Sequence, residues 1–141
     1  MSKYLVKKDL SRVKWYEVQN LLKIAGLAHP PAELIEKAFK NSYSVVFIYN
    51  EDKIIGVGRG ISDGAYQAAI YDIAVHPEYQ GNGLGKTIID EIYKDLKEFN
   101  IILYSRPVSE NFYRKLGFEK MLTGMAIFKD RNGMKEKGFT E

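Results

Sequence analysis

The chain has 141 residues, 45% of them hydrophobic, and its 21 basic and 18 acidic side chains leave a net charge of only +3, which sizes it for one domain with a proper core and excludes the dense basic footprint of a nucleic-acid binder. With no cysteine and two histidines, disulfides, zinc–thiolate sites and a cysteine nucleophile are excluded, and no metal site is expected. The opening MSKYLVKKDL lacks the apolar core of a signal peptide, and no run approaches the roughly 20 apolar residues of a membrane span, so a cytoplasmic protein with no membrane partner is expected.

Residues from about Lys3 to Val6 read as a short first strand. A helix follows, with Trp15, Val18, Leu21, Leu22 and Ala25 at helical spacing and Gly26 to stop it. After the rigid LAHPP connection, Pro31 opens a second helix carrying Leu34, Ile35, Ala38 and Phe39. Ser44 to Tyr49 and Ile54 to Ile61 are rich in β-branched and aromatic residues and are joined by turn residues, which predicts a hairpin. The almost wholly apolar run Gln67 to Val75 reads as a central strand covered on both faces, ended by Pro77.

Leu84, Ile88, Ile89, Ile92, Tyr93 and Leu96 trace one face of a long helix reaching about Phe99. Ile101 to Ser105 follows as a strand, parallel to Gln67–Val75 because a helical crossover joins parallel neighbours. A short helix around Asn111 to Leu116, with Phe112 and Leu116 buried, leads to a final strand pair, Phe118–Leu122 and Met125–Lys129. A single domain over 1–141 is expected, with 130–141 as a mobile polar tail.

Between the central strand and the long helix stands QGNGLGK, Gln80 to Lys86. Its three glycines expose a row of backbone N–H groups where a helix starts, and such a row, at the positive end of the helix dipole, suits a pyrophosphate. Gly85, Lys86 and Thr87 end a Walker A pattern, but its first glycine would fall on Gln80. A Rossmann fingerprint needs GxGxxG after the first strand of the fold, whereas GxGxG stands here after several. Gln80, Gly83 and Gly85 match a third pattern, [QR]xxGx[GA]. Downstream, NFYRKLGF from Asn111 to Phe118 matches FYxxxGF.

Through these two motifs the chain resembles the GCN5-related N-acetyltransferase (GNAT) family, most closely its small bacterial and plastid members. The resemblance covers roughly Ser44 to Phe128. It implies an α/β (α+β) fold, with a mixed, mostly antiparallel sheet of six to seven strands, a central parallel pair and about four flanking helices. It also implies acetyl-CoA as cosubstrate and no metal. Gln80, Gly81, Asn82, Gly83, Leu84, Gly85 and Lys86 would hold the pyrophosphate. Backbone groups of Ile73, Ala74 and Val75 would pair with the pantetheine amides by strand addition, and the N–H near Ile73 would serve as an oxyanion donor.

Tyr113, the tyrosine of FYxxxGF, would protonate the departing thiolate. A phenol near pKa 10 facing a thiol near 8.5 makes that transfer uphill by only about 1.5 pK units, roughly 2 kcal/mol. A base is also needed, because an alkylamine is mostly protonated at pH 7. Asp72 is the acidic residue nearest the reacting centre in sequence, although alternation puts it on the opposite face from Ile73. Glu33, His76 and Glu78 are further candidates. Tyr104 stands where many relatives have a glutamate. Arg106 and Pro107 stand where many have a cofactor-binding asparagine, a role Asn111 would take over.

The expected activity is direct acetyl transfer to a primary amine in a ternary complex, with a small-molecule amine favoured over a protein and a homodimer left open. Trp15, Tyr16, Tyr43 and Tyr66 are candidates to line an aromatic-amine pocket. The alternative from another class is a non-catalytic CoA or acetyl-CoA sensor that keeps the glycine loop.

Overall fold

Five strands form one mixed sheet in the computed structural model, which describes residues 3–141 and divides them into two units, 3–103 and 104–141. Met1 and Ser2 of the opening stretch lie outside the described residues. The first unit holds β1 (Leu5–Lys7), α1 (Trp15–Ile24), α2 (Ala32–Lys40), β2 (Ser44–Asn50), β3 (Lys53–Ser62), β4 (Gln67–Val75), α3 (Leu84–Leu96) and β5 (Asn100–Ile102). The sheet order follows the chain, β1-β2-β3-β4-β5, with antiparallel pairs up to β4 and a parallel β4–β5 pair.

Alternation along β2 and β3 sorts two apolar layers. Val45, Phe47, Val57 and Ala74 pack with Val18, Leu21, Leu22, Ile35 and Phe39 of α1 and α2. On the other face lie Gly56, Gly58 and Gly60, against Ile88, Ile92 and Leu96 of α3. A side chain at Gly60 would meet Leu96 Cδ1 at 2.7 Å, so the glycine stripe is what lets α3 lie close to the sheet. Apolar burial drives both layers. Helical spacing overcounts their membership: Leu34 and Tyr93, assigned from sequence to the apolar faces, are 54% and 52% exposed.

In the second unit, α4 (Glu110–Lys115) and α5 (Arg131–Glu136) are helical. The expected strands Phe118–Leu122 and Met125–Lys129 do not form, which leaves five strands instead of six or seven and puts the parallel pair at the sheet's edge. Two short strands need a ladder and a covered face to be stable. Here Leu122, Met125 and Ile127 are 87–95% exposed, and no backbone bond joins the two segments. The segment from Asp130, read as a tail, carries α5, whose N-terminus Asp130 caps by accepting from the Gly133 N–H. Among the described residues, no helix is long and apolar enough to cross a membrane.

Candidate active site

The turn from β4 into α3 is built from its own side chains. A 3₁₀ turn at Pro77–Tyr79 follows His76, whose Nδ1 accepts from the Glu78 N–H at 3.1 Å. Tyr79 anchors the loop from both ends: its hydroxyl accepts from Asn50 Nδ2 at 2.9 Å, and its carbonyl accepts from Asn82 Nδ2 at 3.0 Å. Gln80 Nε2 reaches back to the Val75 carbonyl at 3.1 Å. Gly83 is the helix N-cap in the left-handed region (φ 77°), which favours glycine, and a Cβ there would enter open space.

The first backbone bond of α3 runs from the Thr87 N–H to the Gly83 carbonyl at 3.0 Å. The N–H groups of Gly81 through Lys86 therefore have no backbone acceptor among the described residues. Free donors at the head of a 13-residue helix are the arrangement that accepts an anion. A pyrophosphate fits this donor set, with Gly81 to Lys86 as the residues that would hold it. The Lys86 ammonium is paired with Asp90 at 2.6 Å, both side chains more than half exposed.

Within β4 the ladder to β3 is irregular. Ala74 pairs with Val57 and Tyr71 with Arg59, so Asp72 and Ile73 together face Gly58. The extra residue is taken up at Asp72, which has φ 59° and is the one non-glycine residue of positive φ inside a strand among those described. The bulge changes which residues share a face. Ala68 and Ile70 lie on the α3 side with Gly60; beyond the bulge that side passes to Ile73, whose Cδ1 rests where a Gly58 side chain would be. On the β5 side, pairing stops at Ala69 and Ile102, so no strand of the described sheet covers β4 from Ile70 to Val75 there.

Asp72 turns to Arg59, whose Nε donates to its Oδ2 at 2.7 Å. The guanidinium also donates to Ser42 Oγ at 3.4 Å and lies 5.4 Å from the Tyr71 ring centroid and 5.8 Å from that of Phe39. One oxygen of the nearest candidate base is thus held in an ion pair. Of the other candidates, Glu78 faces Lys53 at 3.9 Å with its side chain 75% exposed, and Glu33 is exposed.

In the second unit, NFYRKLGF forms a capped helix end. The Gly117 N–H donates to the Arg114 carbonyl at 3.0 Å and the Phe118 N–H to the Tyr113 carbonyl at 3.1 Å, with Gly117 at φ 96°. This pair of hydrogen bonds brings Phe118 against Tyr113, ring centroids 5.7 Å apart, and the Phe112 ring lies 4.9 Å from that of Tyr113. Burial pushes the Tyr113 phenol above its ordinary value, against a smaller opposite pull from Arg106. Phe112, expected to be buried, is 36% exposed, and Asn111 is exposed. Tyr104 contacts the rings of Phe128 and Phe139 at 5.4 and 5.9 Å.

The first unit carries Ile73, Ala74 and Val75 at the end of β4 and Gln80–Lys86 in the turn and first residues of α3, while Asn111 and Tyr113 belong to the second. The four aromatics proposed for an acceptor pocket separate: Trp15 packs on Phe39 and Phe47 in the core, whereas Tyr16, Tyr43 and Tyr66 are each more than half exposed. Sequence reasoning missed Arg59 and the bulge. Their one signal is the alternation GVGRG, Gly56 to Gly60, since glycines inside a strand mark a bulge or a close approach.

The acetyltransferase (GNAT) family model matches residues 12–118. The chain belongs to the GNAT family. It is 32% identical over 115 residues to the uncharacterized N-acetyltransferase ycf52 of Pyropia yezoensis, covering 77% of this chain and 66% of that one. It is 37% identical over 118 residues to the histone acetyltransferase TAP1 of Glycine max, covering 74% of this chain and 51% of that one. The chain thus spans about half to two thirds of the length of these curated relatives. A probable acetyltransferase from meticillin-resistant Staphylococcus aureus superposes with a TM-score of 0.78 at 30% identity, covering 88% of this chain and 99% of that one. The GNAT match spans both the phosphate turn and FYxxxGF, so the two motifs read from sequence fall within one family pattern.

Proposed function

We propose that this GNAT protein transfers the acetyl group of acetyl-CoA to a primary amine by direct attack in a ternary complex. The observation that carries the proposal is the row of backbone N–H groups from Gly81 to Lys86 that have no backbone acceptor at the head of α3. They would hold the CoA pyrophosphate, with the uncovered β4 segment beyond Ala69 offering main-chain groups to the pantetheine arm. Acetyl-CoA supplies a thioester already activated for attack. Tyr113 Oη would deliver a proton to the departing sulfur; burial raises the phenol's pKa, so it is fully protonated at neutral pH but gives up its proton less readily than a free tyrosine.

A small-molecule amine acceptor and a cytoplasmic setting belong to the same proposal. The experiment is acetyl-CoA turnover, followed by thiol release, across a panel of alkylamines, arylalkylamines and peptide N-termini, alongside calorimetric titration with CoA. Saturable thiol release dependent on one amine class supports the reading. Tight CoA binding with no transfer to any amine replaces it with a CoA-sensing module, and absence of CoA binding removes both.

A further inference from the structure

Asp72 occupies the left-handed region within β4, a conformation that disfavours any side chain, and nothing in its local sequence supplies a glycine to relieve it. The contacts around it do the work instead. Arg59 Nε grips Asp72 Oδ2 at 2.7 Å, and Arg59 is itself held by the rings of Phe39 and Tyr71 and by Ser42 Oγ. Ser42 in turn donates to the Ala38 carbonyl at 2.8 Å, so the chain of contacts ends on the last turn of α2. Both members of the pair are well covered, with side chains 16% and 28% exposed, which distinguishes them from a solvated surface pair.

The residue after Asp72 is Ile73. The bulge transfers Ile73 to the α3 face, over Gly58, and so sets the orientation of the Asp72–Ile73 peptide. We propose that Arg59 is a positioning residue: by holding Asp72 in its left-handed turn it fixes the bulge of β4 and thereby aims the Ile73 backbone at the reacting centre. The inference rests on the acetyltransferase reading above for what the aim serves, but the bulge itself does not depend on that reading. Asp72 then acts through its backbone conformation, and its carboxylate is the handle by which Arg59 holds it.

A glycine at position 72 separates this from proton transfer by the carboxylate, because glycine enters the left-handed region without a clamp whereas alanine does not. The test compares Arg59→Leu, Asp72→Ala, Asp72→Gly and the double variant Arg59→Leu/Asp72→Gly in the full chain. Three quantities are read: the Ile73 and Ala74 backbone amide resonances without ligand, kcat with the best amine, and CoA affinity by calorimetry. The expected result is that R59L and D72A both move the Ile73 resonance and lower kcat about tenfold, with a smaller fall in CoA affinity, about threefold, because the phosphate turn is untouched and only the β4 end of the proposed pantetheine contacts shifts.

Glycine at position 72 is then expected to recover about fivefold of the kcat lost in D72A, and to recover it again in the R59L background, with the Ile73 resonance returning toward its parent position. A D72G variant as inactive as D72A overturns the proposal, as does an R59L variant with unmoved Ile73 resonance and undiminished kcat. If the parent transfers acetyl to no amine, the acetyltransferase reading falls, and the resonance arm alone decides the clamp: displacement in R59L that is reversed by D72G supports it, and no displacement overturns it. Should R59L fail to fold, Arg59→Gln, checked by thermal denaturation, takes its place with the same expected order.

Discussion

Ile73 lies over Gly58, its Cδ1 2.7 Å from where a Gly58 Cβ would stand, and Ile88 Cγ2 of α3 closes on the same point at 2.5 Å. The missing side chain is therefore shared space, filled by the strand that carries the bulge and by the helix that carries the phosphate turn. Gly58→Ala is expected to destabilise the fold by about 1–3 kcal/mol through overpacking. Chemical denaturation measures this, and an alanine variant as stable as the parent would show that the close approach is not a constraint.

Gly83 caps α3 in the left-handed region with open space beyond it. Gly83→Ala meets no clash, so its cost is conformational, about 1 kcal/mol. Because the cost falls on the donor row itself, weaker CoA binding, about three- to tenfold, is expected with only a small fall in thermal stability. Calorimetric titration of CoA checks it; unchanged affinity would place the anion elsewhere.

Tyr113→Phe removes one oxygen from a partly covered ring cluster. A fall in kcat of about 10- to 100-fold is expected, with the acetyl-CoA KM little changed, as for a group that acts on the leaving sulfur. Equal turnover at saturating amine would end the assignment. The pH dependence has a definite sign: burial raises the folded phenol's pKa, so its contribution to stability is complete below the ordinary tyrosine value near 10 and fades as pH climbs through the raised one. The phenylalanine variant should lose that alkaline component.

Asp95, near the end of α3, takes 2.7 Å and 2.8 Å contacts from Ser44 Oγ and Lys8 Nζ. Its partial burial pushes the carboxyl up, but the two donors and the nearby ammonium groups outweigh this and hold it below the ordinary value near 3.8. A depressed carboxyl contributes stability that is present above the ordinary value and is lost as pH falls through the lowered one. Asp95→Asn should therefore be less stable than the parent at pH 6, with the gap closing below about pH 4. Urea midpoints across that range test it, and a pH-independent gap would remove the ionic account.

Much of the first unit was legible because its elements rest on local chemistry. Pro31 before α2, Gly26 after α1 and the Asn50–Lys53 turn act on their neighbours, and β4 was read with its observed bounds, Gln67–Val75. Legibility failed where a neighbour decides. Tyr93 and Leu34 fit the helical period yet lie outside the packed layers. The strand pair after Phe118 has the right composition, but within the described residues no partner strand joins it.

By itself the sequence determined the local geometry of the turn before α3. Glycines, a helix start and the capped turn FYxxxGF impose their geometry over a few residues, so QGNGLGK presents free N–H groups wherever the helix lies. Only the tertiary structure decided where Asp72 points. Strict alternation would put Asp72 on the face of Ala68 and Ile70, and the bulge that breaks the alternation exists because Arg59, 13 residues earlier, and Gly58 meet it across the ladder. Such a contact is set by strand register and packing, which arise from many distant residues at once and leave no local mark beyond the glycines of β3.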